Sequence, residues 1–198
     1  HPYFIAKHPA GETLSRAWEE LLLRAGEQNA LGETGLDLRK PYLATKQLQI
    51  DYFARHLNLA QQLRKPVILH IVRAHEEALL ELKTSGPLTR GGMVHSFSKG
   101  PDLAERYLAL GLHLSIGTQI LRPDGEKTAE AVRLTPLGRL LVESDCPDQA
   151  PPGQTSHDSR TVWSILECIA AIKKLPLPEV VKQTRANLLT LIAQEIEP

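Results

Sequence analysis

The chain has 198 residues, 42% of them hydrophobic and 23% charged, with 23 basic and 23 acidic side chains. Its formal net charge of zero excludes a strongly basic nucleic-acid binder and an acidic disordered tail. No apolar run approaches the ~18 residues that a membrane span requires, and no signal-peptide pattern opens the sequence.

A chain of this length is expected to form one domain and to bury roughly 70% of the surface it exposes when unfolded. Two cysteines, Cys146 and Cys168, fit neither a disulfide framework nor a zinc spacing. They are read as reduced thiols, and the cytoplasm is the expected location.

Taken in chain order, Leu14, Ala17, Trp18, Leu21, Leu22 and Ala25 recur at helical spacing and predict an amphipathic helix. A run of strand length, Ala30–Glu33, follows. Ile50, Phe53, Ala54, Leu57 and Ala60 repeat the helical stripe inside a segment from Leu43 to Arg64. Next come a strand at Val67–His70 behind Pro66, a helix at Ala74–Lys83, and a strand at Met93–His95 behind Gly91-Gly92. A helix at Asp102–Leu110, with Pro101 in its first turn, leads to a strand at His113–Gly117. A helix at Lys127–Val132 precedes the last strand, Leu140–Asp145. The stretch Cys146–Ser159, rich in Pro, Gly, Ser and Asp, reads as a long loop. Val162, Ile165, Leu166, Ile169 and Ala170 mark another helix, and Pro178–Leu191 the final one. Strands alternating with helices predict βαβ units on a parallel sheet buried on both faces.

What ends each strand carries the chemistry. Ala30-Leu31-Gly32 runs into Glu33, Val67-Ile68-Leu69 into His70, Met93-Val94 into His95, and Leu140-Leu141-Val142 into Glu143 and Asp145. In parallel α/β barrels the catalytic groups come from the C-terminal ends of several strands. A Glu, two His and an Asp are the ligand types that a hydrolytic divalent metal takes. Spacing alone leaves two readings open: a converging metal site, or separate buried and capping residues. Competing motifs are absent. His75-Glu76 opens like a zincin helix, but Leu79 stands where the second histidine belongs, and neither a phosphate-binding glycine loop nor a G-x-S-x-G elbow occurs.

Four segments in order carry a resemblance: Gly32-Glu33-Thr34-Gly35-Leu36-Asp37, Lys65-Pro66-Val67-Ile68-Leu69-His70, Val94-His95-Ser96-Phe97-Ser98, and Leu140-Leu141-Val142-Glu143-Ser144-Asp145-Cys146-Pro147. Together they resemble the TatD family of metal-dependent deoxyribonucleases, closest to its YjjV-like branch, and Asn187-Leu188-Leu189-Thr190-Leu191 is similar to its closing helix. The resemblance implies a (β/α)8 TIM barrel of the metal-dependent, amidohydrolase-like type with up to two divalent ions, Mg2+, Mn2+ or Zn2+. It implies that Glu33 bridges the ions, that His70 and His95 complete one site, and that Asp145 binds the other. Glu33 and Asp145 are then the catalytic carboxylates, with Asp145 also accepting the proton of the attacking water. Arg73, beyond His70, is the expected phosphate partner, the equal alternative being a solvated loop cation. His1 resembles the histidine of an H-P-[HY] segment near the family's site, and His75 and Glu143 are expected to support it.

The chain also departs from that pattern. The family's barrel opens with an H-x-H pair, and none occurs among the eight histidines here. Five strands are legible where a (β/α)8 barrel of about 250 residues has eight, so the first two to three strands are expected to be missing from a single hydrolase domain spanning 1–198. Ser156-His157-Asp158-Ser159-Arg160 replaces another family segment. The expected function is hydrolysis of DNA phosphodiester bonds from a 3′ end by a monomer with no membrane partner. The alternatives are a catalytically impaired fragment or degenerate homologue, and an amidohydrolase-like enzyme acting on small esters or amides.

Overall fold

The computed structural model describes residues 1–9 and 11–193, which form two compact units: His1–Met93 together with Ile192 and Ala193, and Val94–Leu191. No helix among the described residues is long and apolar enough to cross a membrane.

In the first unit, helices α1 (Pro2–Lys7) and α2 (Glu12–Arg24) precede strand β1 (Leu31–Asp37). A 3-10 turn at Leu43–Thr45 then leads into α3 (Lys46–Gln62), β2 (Val67–Val72) and α4 (His75–Thr84). β1 and β2 are parallel, with Gly35 opposite His70 and Asp37 opposite Val72. α3 is the crossover between them, and Phe53, Leu57 and Ala60 of its stripe are buried along with Leu36, Val67 and Leu69 of the strands. The short helix α1 has too few residues to show a period. Its signal is Pro2 at the first helical position behind His1, whose Nδ1 caps the helix by accepting the Tyr3 backbone N–H at 3.1 Å.

The stripe of α2 is covered only in part. Leu14 joins Ile5 and Tyr52 in a small core with Trp18 and Leu48 packed against it, whereas Leu22 is 46% exposed. Beside this core, His56 of α3 is buried, its ring edge-on to Trp18 and its Nδ1 against the Tyr52 carbonyl at 2.6 Å. Burial pushes the His56 imidazole down to about 4. An unfolded chain binds that proton near pH 6.5, so the stability carried by neutral His56 is fully present above pH 6.5 and is lost as the pH falls towards 4, on the order of 3 kcal/mol in total. A His56→Leu variant is therefore expected to show a shallower loss of denaturant midpoint across that window than the parent chain.

Strand β3 (Gly92–Val94) carries the chain into the second unit. There α5 (Pro101–Ala109), β4 (Leu112–Ile116), α6 (Glu126–Leu134), β5 (Leu140–Val142), α7 (Thr161–Lys173) and α8 (Leu177–Ile192) follow in order. β4 and β5 are parallel, with Leu114 opposite Leu140 and Ile116 opposite Val142. Ile165 and Ile169 of α7 and Val180 of α8 are buried. Buried Asn187 ties α8 to the start of β5, its Nδ2 donating to the Leu137 and Leu140 carbonyls at 2.8 Å each. Residues 143–160 form no helix or strand, so the long loop expected at Cys146–Ser159 is present and begins three residues earlier.

Three of the expected strand ends need correcting: the last strand stops at Val142, short of Asp145. β1 runs on from Glu33 to Asp37, and β2 from His70 to Val72, so Glu33 and His70 lie inside their strands. The glycines flanking Glu33 and Thr34 have low strand propensity, which made the apolar run look finished. The ladder to β2 nevertheless carries the segment through, after a register irregularity between Leu31 and Thr34. His95 and Glu143, by contrast, directly follow β3 and β5.

Candidate metal centre

In the first unit, neighbouring parallel strands project Glu33 and His70 together, and the start of α1 adds His1. The His1 Nε2 lies 3.1 Å from Glu33 Oε2, and His70 Nδ1 lies 3.6 Å from the same oxygen. One donor atom from each of these three residues falls within 4.8 Å of the other two. Gly35 makes this possible: it faces His70 across the ladder at φ 137, and a Cβ there would stand 2.2 Å from the His70 carbonyl oxygen.

Behind His70 lies a carboxylate that the sequence reading gave no role. Asp37 is fully buried, and its Oδ2 is 3.4 Å from His70 Nε2. Arg39 donates to both Asp37 oxygens through Nε at 3.0 Å each and through its own backbone N–H, while the Gln49 side-chain oxygen accepts the Asp37 backbone N–H at 2.8 Å. Burial acts to raise the Asp37 pKa, but the bonds from Arg39 and His70 outweigh it and hold the carboxyl below its ordinary value. A carboxylate against one imidazole nitrogen fixes the tautomer and leaves the other nitrogen's lone pair free to bind a metal. For His70 that other nitrogen is Nδ1, the one facing Glu33. Arg39 also reaches the Tyr3 hydroxyl and lies 5.5 Å from the ring centres of both Tyr3 and Tyr42, so the start of α1 is tied to the end of β1.

The second unit repeats the device. His95 Nδ1 is 2.8 Å from Glu143 Oε1, and His95 Nε2 is 3.5 Å from Asp145 Oδ1. Glu143 is itself held, with Ser115 Oγ donating to its Oε2 at 2.6 Å and the Ser96 backbone N–H donating to Oε1. Glu143 thus has a definite partner, the Nδ1 nitrogen of His95. Glu143→Gln keeps the shape and removes the charge. It is expected to lower metal affinity about 10- to 100-fold, measured by titration with Zn2+ or Mn2+.

Arg73 follows β2 with a left-handed backbone, φ 53, and an exposed side chain. His75 is the first residue of α4 and is half-buried. Neither belongs to the converging donor group around Glu33. Cys146 and Cys168 are both free thiols.

These donor sets fit divalent cations. Two ligands about 2.0–2.2 Å from one tetrahedral ion stand roughly 3.3–3.6 Å apart. The separations of 3.1, 3.6 and 3.5 Å lie close to that spacing. Imidazole nitrogens mixed with carboxylate oxygens suit Zn2+ and its first-row neighbours, and both His70 and His95 have a carboxylate against their other ring nitrogen. The α/β fold with these donors defines a hydrolase of the metal-dependent barrel class.

The comparisons make the family plain. The family model described as TatD related DNase matches residues 1–193, and the chain belongs to that family of metal-dependent hydrolases. It is 31% identical over 195 residues to the uncharacterized metal-dependent hydrolase YjjV of Escherichia coli K12, covering 96% of this chain and 73% of YjjV. With the YcfH hydrolase of the same strain the identity is 32%, over 93% and 71% of the two chains. With the 3′-5′ ssDNA/RNA exonuclease TatD of Erwinia amylovora it is 31%, over 94% and 73%. The crystal structure of YjjV from Escherichia coli K12 superposes with a TM-score of 0.85 over 96% of this chain and 73% of that one, which identifies the fold as the TIM-barrel-like type of TatD hydrolases.

Proposed function

We propose that this protein hydrolyses phosphodiester bonds in DNA, releasing nucleotides from a 3′ end. The observation that carries the reading is the convergence of His1, Glu33 and His70, with His70 backed by buried Asp37. The name of the Erwinia relative supports the substrate class.

In this reading Glu33 and His70 in the first unit, and His95 and Asp145 in the second, would be the ligands of up to two divalent ions. When bound, such ions lower the pKa of water to near neutrality and neutralise charge on the phosphoryl oxygens. The protein's own groups do the rest. Asp37 and Glu143 keep His70 and His95 in the ligating tautomer. Asp145 accepts the proton of the attacking water. Arg73, exposed just beyond β2, places its planar fork on two oxygens of the scissile or neighbouring phosphate. His1 contributes from the start of α1, where its Nε2 already faces Glu33, and His75 supports the substrate side from the start of α4. With a net charge of zero, attraction of DNA rests mainly on bound cations rather than on a basic surface.

The test compares substrates on one purified sample supplied with Mg2+, Mn2+ or Zn2+. Release of nucleotides from single-stranded DNA, abolished by chelator, is the expected result. Cleavage of small esters or amides with no nucleotide release would replace this reading with the amidohydrolase one.

A further inference from the structure

The loop after β5 holds Asp145 through Gln149, which lies outside the four motif segments. Gln149 Nε2 donates to Asp145 Oδ2. Its Oε1 accepts from Ser96 Oγ at 2.9 Å and from Gln119 Nε2 at 3.3 Å, and its backbone carbonyl accepts from Thr118 Oγ1 at 2.6 Å. Every polar atom of the Gln149 side chain is therefore engaged, and the donor–acceptor chemistry fixes the direction of the amide. An ionised carboxylate only accepts and the Gln119 NH2 only donates, so the Gln149 NH2 must face Asp145 and its oxygen must face Gln119.

The arrangement separates the two oxygens of Asp145. Oδ2 is tied to Gln149, and Oδ1 is turned to His95 Nε2 at 3.5 Å. Without the amide, rotation about the terminal torsion of Asp145 would exchange its oxygens and swing the carboxylate in a broad well. Ser96 joins this clamp to the other one, because its hydroxyl holds Gln149 while its backbone N–H holds Glu143, which in turn holds His95. Thr118 is 1% exposed and sits in the 3-10 turn after β4 (Thr118–Leu121), so Gln149 is braced against that buried turn rather than against its own loop alone.

We infer that Gln149 is a positioning residue that fixes the Asp145 carboxylate beside His95 for metal binding. This inference rests on the reading of Asp145 as a metal ligand. No spacing signal points to it, since Gln149 lies in a Pro- and Asp-rich loop where residue spacing encodes no contact.

Gln149→Met keeps the length and bulk of the side chain and removes both polar atoms. In a Zn2+ titration of the whole 198-residue chain, this variant is expected to bind about tenfold or more weakly, while the metal-free protein melts close to the parent. In a crystal structure of the variant, the 3.5 Å approach of Asp145 Oδ1 to His95 Nε2 is expected to be lost. Asp145→Asn is titrated alongside. Parent-like affinity of Asp145→Asn would overturn the reading of Asp145 as a ligand, and the Gln149 role with it. Weakened Asp145→Asn beside parent-like Gln149→Met would leave that reading standing and overturn the Gln149 assignment alone. A lowered melting temperature of metal-free Gln149→Met with Asp145 still in place would also overturn it, in favour of a purely structural residue.

Discussion

Glu33→Ala is expected to abolish divalent-dependent nucleotide release, with a loss of at least about 10³-fold, equivalent to roughly 4 kcal/mol of transition-state stabilisation. The size follows from position. The Glu33 Oε2 atom is the shared neighbour of His1 Nε2 and His70 Nδ1, so its removal takes away the central anionic donor and leaves two imidazoles facing each other. Glu33→Gln is the informative companion, because it keeps the length and a neutral oxygen while removing the charge. An activity loss in both variants, with melting temperatures near the parent, assigns the effect to chemistry rather than folding. Unchanged nucleotide release by Glu33→Ala would show that the activity arises elsewhere.

Gly35→Ala is expected to have the largest effect on stability, on the order of 3–5 kcal/mol, a drop of roughly 10 °C or more in melting temperature. The added Cβ would meet the His70 carbonyl oxygen at 2.2 Å and its carbon at 3.0 Å, and the φ of 137 is one that L side chains rarely adopt. Because the obstacle is backbone, no side-chain rotation relieves it, and β1 and β2 must separate where Glu33 and His70 are presented. Metal affinity should therefore fall together with stability. Gly26→Ala, whose Cβ would meet nothing within 4 Å, is the control and is expected to leave both unchanged. Thermal unfolding of the two variants side by side checks the contrast.

The parts of this molecule legible in its sequence are those governed by periodicity and by local backbone chemistry. The stripe of α3 is buried at Phe53, Leu57 and Ala60 because the 3.6-residue repeat states which face is apolar. The same repeat in α2 names a face but not its cover, and Leu22 and Leu23 remain exposed. The apolar cores of all five expected strands are present among the described residues, and the length of β1 was the poorest match because glycines obscured a segment that pairing carries through.

Within the site, His70 and His95 stand out because each follows an apolar run, and Glu143 lies beside Asp145 in one motif. Asp37 closes the Gly32–Asp37 motif, yet its role depends on facing His70 from the next strand, a pairing that only the register supplies. Arg39, Gln49, Ser115 and Gln149 were illegible for the same reason. Each acts through a partner 2 to 53 residues away, set by register or loop path rather than by spacing.

The most direct measurement is a calorimetric titration of the metal-stripped chain with Zn2+, repeated on Glu33→Ala and Asp145→Asn. The donor sets around Glu33 and beside His95 require saturable binding of at least one and up to two equivalents by the parent, with binding weakened in both variants. A parent chain that binds no divalent ion, or that binds it as tightly without Glu33 and without Asp145, would contradict the assignment of these residues as the metal centre.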